Sequence, residues 1–126
     1  MRSLLAIFLG FVLLISLSVF TFHKLEESYS IIKTDLDQAQ EYIAAEKWRE
    51  AENLTRKIDA YWTETKKWWA ILLDHEALDD IEISIKRLET FIETKEKPSS
   101  LAELETLKVL VKKVPESECL RLNNIL

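Results

Sequence analysis

Glycine is almost missing from this chain. Among 126 residues there is one, Gly10, and none follows it. Sheets joined by tight hairpins need residues at positive φ, which glycine supplies most cheaply, so its absence after residue 10 argues for helices joined by short turns. Cysteine is nearly as scarce. Cys119 stands alone, which excludes an internal disulfide framework and a paired-cysteine metal or redox motif. No cysteine stands at the end of the apolar N-terminal run, so lipoprotein processing is excluded as well. The two prolines are Pro98 and Pro115, and the two histidines, His23 and His75, lie far apart in the chain. No block of basic residues occurs. The part after residue 22 holds 16 Lys and Arg against 22 Asp and Glu, with both signs interspersed. That balance excludes a phosphate-neutralising patch, and nucleic acid is not an expected partner.

What is present begins with Leu4 to Phe22, LLAIFLGFVLLISLSVFTF, an apolar run without a charged side chain. As a helix it reaches about 28 Å, close to the hydrocarbon thickness of a bilayer. Residues 1–23 therefore read as a transmembrane anchor and 24–126 as one helical domain outside the membrane. Arg2 and the free amine precede the run, while His23 and Lys24 are followed at once by Glu26 and Glu27. The charge bias is nearly flat, and the short N-terminal flank points to a cytoplasmic N-terminus with an exported C-terminal domain. A cleaved signal peptide competes with the anchor, because Ser16 and Ser18 place small residues two apart. The run continues through Val19, Phe20 and Phe22, which favours the anchor. Ala6 and Gly10 form one small-xxx-small pair, and a single pair carries little weight.

Four apolar stripes follow at spacings of three and four. The first runs from Leu25 through Ile32, Leu36 and Ala39 to Ile43, and the second from Trp48 through Ile58, Trp62 and Trp69 to Leu72. The third holds Leu78, Ile81, Ile85, Leu88 and Ile92, and the fourth Leu104, Leu107, Val111 and Val114. Each stripe buries one side of a helix. The expected fold is all-α: a transmembrane helix, then an antiparallel four-helix bundle with a short C-terminal tail. The first turn, near Ala45 to Lys47, rests on a phase shift alone. Pro98 is read as a helix break before a capping box at Ser100 to Glu103, and Asp74 as a cap of the third helix. Lys112 and Lys113 suit the negative end of the fourth helix, which Pro115 should terminate. A short helix starting at Ser117 would carry Leu120, Leu122, Ile125 and Leu126.

If the first helix continues outward from the anchor, the second returns toward the bilayer. Trp68, Trp69, the Asp74–His75 turn and the tail should then gather at the membrane-proximal end, with Lys66 and Lys67 facing headgroups. Trp62 and Trp69, seven apart, suit the core, whereas Trp68 is rotated about 100° from Trp69 and cannot fully share that seam. It suits a half-buried place under the tail, the membrane interface or a partner contact. His75 and Asp79 share a helical face, but the zinc-protease pattern needs a second histidine where Asp79 stands. No catalytic residue, metal site or cofactor is expected there. The acids suit the positive end of a helix, with His75 hydrogen-bonded at the turn.

The segment TKKWWAILLDHEALDDIEISIKRLETFIE (residues 65–93), with LAELETLKVLVKKVP and the terminal LNNIL, resembles the bacterial family known as domain of unknown function 4363. The resemblance takes in Trp48, Trp62, Trp69, Asp74, His75, Asp79 and Ile81. It implies a small membrane-anchored helical protein of Firmicutes with no established activity, whose genes neighbour those of YetF-like multi-pass membrane proteins. The resulting expectation is a non-enzymatic accessory or scaffold protein that docks on an integral membrane partner, through Trp68, Trp69, Asp74, His75 and Asp79. An extracytoplasmic sensor with an interhelical pocket lined by Trp62 and Trp69 is the alternative.

Overall fold

The structure, a computed structural model, describes the backbone of residues 1–125 and the side chains of residues 1–114 other than Leu72. Within them the chain forms four helices and no strand: α1 (Arg2–Ala44), α2 (Trp48–Leu72), α3 (His75–Glu93) and α4 (Lys97–Ile125). Each packs against its neighbours in sequence, and α4 closes the ring against α1. This is an antiparallel four-helix bundle joined by short turns.

α1 is 43 residues long without a break, so the apolar run and the first bundle helix are one rod of about 65 Å. Its N-terminal portion is long and apolar enough to cross a membrane and is not buried against the rest of the chain. The side chains from Leu4 to Leu14 point outward all round the helix, and burial starts at Leu25. From there the stripes fill the interior as their spacing requires. Leu36, Ala39, Ile43, Ala51, Trp62, Leu78, Leu88, Leu104 and Leu107 have no accessible surface. Trp62 and Trp69 meet edge to face, with centroids 5.4 Å apart and planes at 84°, a favoured arrangement for aromatic pairs.

A polar bridge spans every helix–helix interface. Lys57 reaches Asp35 between α2 and α1 at 3.6 Å, and Lys86 reaches Asp59 between α3 and α2 at 2.9 Å. The Ser84 hydroxyl donates to Glu103 at 2.8 Å between α3 and α4, and Lys108 reaches Asp37 between α4 and α1 at 3.1 Å. Ion pairs near a protein surface contribute about 0.2–1 kcal/mol each, so the buried stripes dominate stability.

The turns lacking glycine use charged residues in its place. Glu46 (φ 59°) and Lys95 (φ 57°) adopt the left-handed conformation just past α1 and α3. The Lys47 and Glu96 amides donate to the Tyr42 and Phe91 carbonyls, and those of Glu46 and Lys95 to Ile43 and Ile92. Both turns are therefore Schellman motifs.

Three sequence expectations fail around α4. The helix break expected at Pro98 is present, between Glu93 and Lys97, but no capping box follows it. α4 starts at Lys97, and Pro98 occupies its first turn, where a missing N–H forfeits no helical bond. Ser100 lies inside the helix, fully buried with its hydroxyl unpartnered, while Glu103 accepts from Ser84 instead. Pro115 does not end the helix, whose backbone continues to Ile125, so there is no separate helix from Ser117 and Lys112 and Lys113 sit mid-helix. A proline inside a helix costs about 3 kcal/mol and removes one hydrogen bond, but the flanking turns can carry the helix through. The apolar side chains of the tail lie outside the described residues.

Candidate functional site

The antiparallel ring places the α2–α3 turn at the end from which the apolar part of α1 projects. Here the seam of α2 turns Thr65 and Trp69 inward, and the 100° rotation per residue leaves Trp68 outside. Trp68 is 72% exposed and Ile71, one turn further, is 77% exposed. Trp69 is 2% exposed, a core residue packed on Trp62, with an edge reaching the surface groove described next. Trp68 is not half-buried.

Between α1 and α2 at this level runs an open groove of about 530 Å³. Its lower walls are Leu17, Phe20 and Thr21 of α1 and Trp68 of α2, and its upper walls Ser28, Tyr61 and Thr65. Lys24 stands at its side, with Nζ 6.0 Å from the centroid of the Phe20 ring. Lys66 and Lys67 both have carboxylate neighbours. Lys66 donates to Glu82 at 2.7 Å, and Lys67 lies 3.4 Å from Glu64. The hydrogen bond to Glu82 raises the Lys66 pKa against the opposing effect of desolvation, and the charges of Glu82 and Asp79 add to the rise.

The turn itself is extended at Leu73 and Asp74. Asp74 occupies the N-cap position of α3, but its carboxylate makes no capping hydrogen bond; its carbonyl accepts from the Leu78 amide at 3.4 Å. Asp74, His75, Glu76, Asp79 and Asp80 are all exposed. His75 makes no side-chain hydrogen bond among the described residues, contrary to expectation. His75 and Asp79 lie one turn apart, yet no three His, Cys, Asp or Glu side chains among the described residues converge well enough to hold a metal ion. The structure thus brings Trp68, Asp74, His75 and Asp79 to one end as separate surface groups. Ile71 joins them without having been singled out. Its signal was present in the sequence as a large apolar residue off the α2 seam.

The model of one family, Domain of unknown function (DUF4363), matches residues 19–125. The chain belongs to this family. The DUF4363 match covers the whole bundle and begins at Val19, so the outer turn of the apolar run, with Phe20 and Thr21 of the groove wall, belongs to the family domain. Neither the curated proteins nor the solved structures include a match to this chain.

Proposed function

We propose that this DUF4363 protein is a non-enzymatic accessory subunit that docks on an integral membrane partner. It is held in the cell membrane by a single pass of α1, with its bundle on the extracytoplasmic side. Asp74, His75 and Asp79 supply the bundle's contact, and Trp69, 2% exposed in the core, takes no part in it. The observation that carries this reading is the continuity of α1 from Arg2 to Ala44. A rigid rod leaves the α2–α3 end no freedom to swing away from the apolar segment, so its exposed residues face whatever that segment enters. The carboxylates of Asp74, Glu76, Asp79 and Asp80 are all exposed at this end. Of the pair expected to line a sensor pocket, Trp69 reaches the α1–α2 groove and Trp62 is fully buried.

A photo-crosslinking side chain at His75 or Asp79, in native membranes at native expression, tests the reading. It should yield one discrete adduct with a multi-pass protein, and the same group at exposed Thr106 should not. Equal labelling from both positions, or none from either, overturns it.

A further inference from the structure

We propose that the foot of α2 is a second membrane-contacting element: Trp68 and Ile71 immerse in the interfacial layer of the bilayer that α1 crosses, and Lys24 meets a lipid phosphate beside the α1–α2 groove. The inference rests on the anchor half of the functional reading. It gives Trp68 to lipid and leaves Asp74, His75 and Asp79 to the protein partner.

Height decides the occupant. Trp68 shares the groove with Leu17, Phe20, Thr21 and Lys24, the residues over which α1 passes from apolar to charged sequence. In a spanning helix that transition marks the boundary between hydrocarbon and headgroups, where tryptophan is enriched because its ring is apolar and its N–H is polar. Ile71 lies one turn nearer the apolar end. Leu17 and Phe20 are 65% and 59% exposed, so the medium that covers these turns of α1 also meets Trp68 across the groove. Charge agrees. Lys24 makes no ion pair among the described residues, whereas Lys66 and Lys67 are engaged by Glu82 and Glu64. An ammonium group on a flexible stem beside an interfacial aromatic residue suits an anionic phosphate.

The acids set the depth. A carboxylate costs about 2.5–3.5 kcal/mol at the centre of a membrane helix, so Asp74 and Glu76 keep the turn in the headgroup layer. Immersion is therefore shallow, and the boundary falls near Val19 rather than beyond Phe22. Among the described residues elsewhere on the bundle, the large exposed apolar side chains, Ile31, Ile83 and Val109, stand singly on three different helices and need no partner. A bundle resting on two feet is held at fixed height and orientation.

The full chain in vesicles of phosphatidylethanolamine and phosphatidylglycerol, with no other protein, provides the test. Lipids brominated near the glycerol end of the acyl chain should quench wild-type tryptophan fluorescence. Trp68→Phe should lose most of that quenching, and Ile71→Asn should reduce it. Equal quenching of wild type and Trp68→Phe, or ready quenching of Trp68 by aqueous iodide, overturns the proposal. Protection of Trp68 in native membranes but not in these vesicles also overturns it and assigns the groove to a protein helix. A spin label at Phe11→Cys in a Cys119→Ser background separates the two readings. A label in the bilayer with Trp68 in water refutes this inference alone; a label in water refutes the anchor as well.

Discussion

The two ends of the bundle are built on opposite principles. At the end away from the apolar segment, two turns of the same design close α1 onto α2 and α3 onto α4. Each satisfies its terminal carbonyls within the backbone and accepts a left-handed residue to do so. At the other end a single extended turn leaves Asp74 without a side-chain cap bond, and Trp68 and Ile71 lie open on the adjoining face. The distal end is organised for folding. The proximal end forgoes local stabilisation, as surfaces that meet another phase or another molecule commonly do. Four tryptophans make the contrast sharp, because Trp62 and Trp68 lie less than two turns apart on one helix and differ almost completely in exposure.

Mutating these two indoles gives the largest expected effect. Trp62→Ala should destabilise the bundle by about 3–5 kcal/mol, since it empties a fully buried site and removes the edge-to-face partner of Trp69. Trp68→Ala should stay within about 0.5 kcal/mol in detergent, as exposed substitutions generally do. Denaturant unfolding followed by far-ultraviolet circular dichroism reads both. A comparable loss for Trp68→Ala would abolish the distinction between the ends.

The interior was legible from the sequence because burial follows helical period. The residues named in the third and fourth stripes are all buried, and that repeat left no competing interpretation. Failures came where a residue type supports two local structures. Ser100 with Glu103 satisfies the capping-box pattern, yet Pro98 serves equally well in a first turn, and the apolar phase of Leu104 and Leu107 extends the helix back to Lys97. Ser84 and Ser100 occupy core positions that a hydrophobic pattern does not reveal. The groove was harder still, since it depends on aligning α1 with α2, and no period within either helix encodes that alignment.

Ser100 offers the next effect in size. Its hydroxyl is buried without a partner, so Ser100→Ala should stabilise the protein by about 1 kcal/mol, the desolvation cost of an unpaired polar group. A destabilisation would mean that the hydroxyl has a partner such as buried water. The turns come next. Glu46→Gly and Lys95→Gly should each stabilise by about 0.5–1 kcal/mol, because relief of left-handed strain exceeds the entropy cost of glycine. Leu73→Gly, placed in the extended proximal turn, should gain nothing and lose about 1 kcal/mol. Thermal midpoints of the three variants check whether the ends differ as described.

The smallest effect tests whether the distal half also carries electrostatic strain. Glu89 on α3 has a raised pKa, chiefly because burial disfavours its charged form and secondarily because Asp59 lies nearby, with Lys86 offsetting part of the rise. A raised folded-state value means that the folded chain binds the proton more readily than the unfolded chain. The resulting stabilisation is complete below the ordinary carboxyl value of 4.5 and is lost as pH rises through the folded-state value. At neutral pH the native bundle therefore carries an ionised Glu89 in an unfavourable place. Glu89→Gln should be slightly more stable than wild type at pH 7, and the difference should shrink as pH falls and vanish below about 4.5. The gain is small because the substitution also gives up the 3.6 Å contact with Lys86. A variant less stable at pH 7 than at pH 4, relative to wild type, would show that the Lys86 contact outweighs burial and that the distal half is electrostatically relaxed.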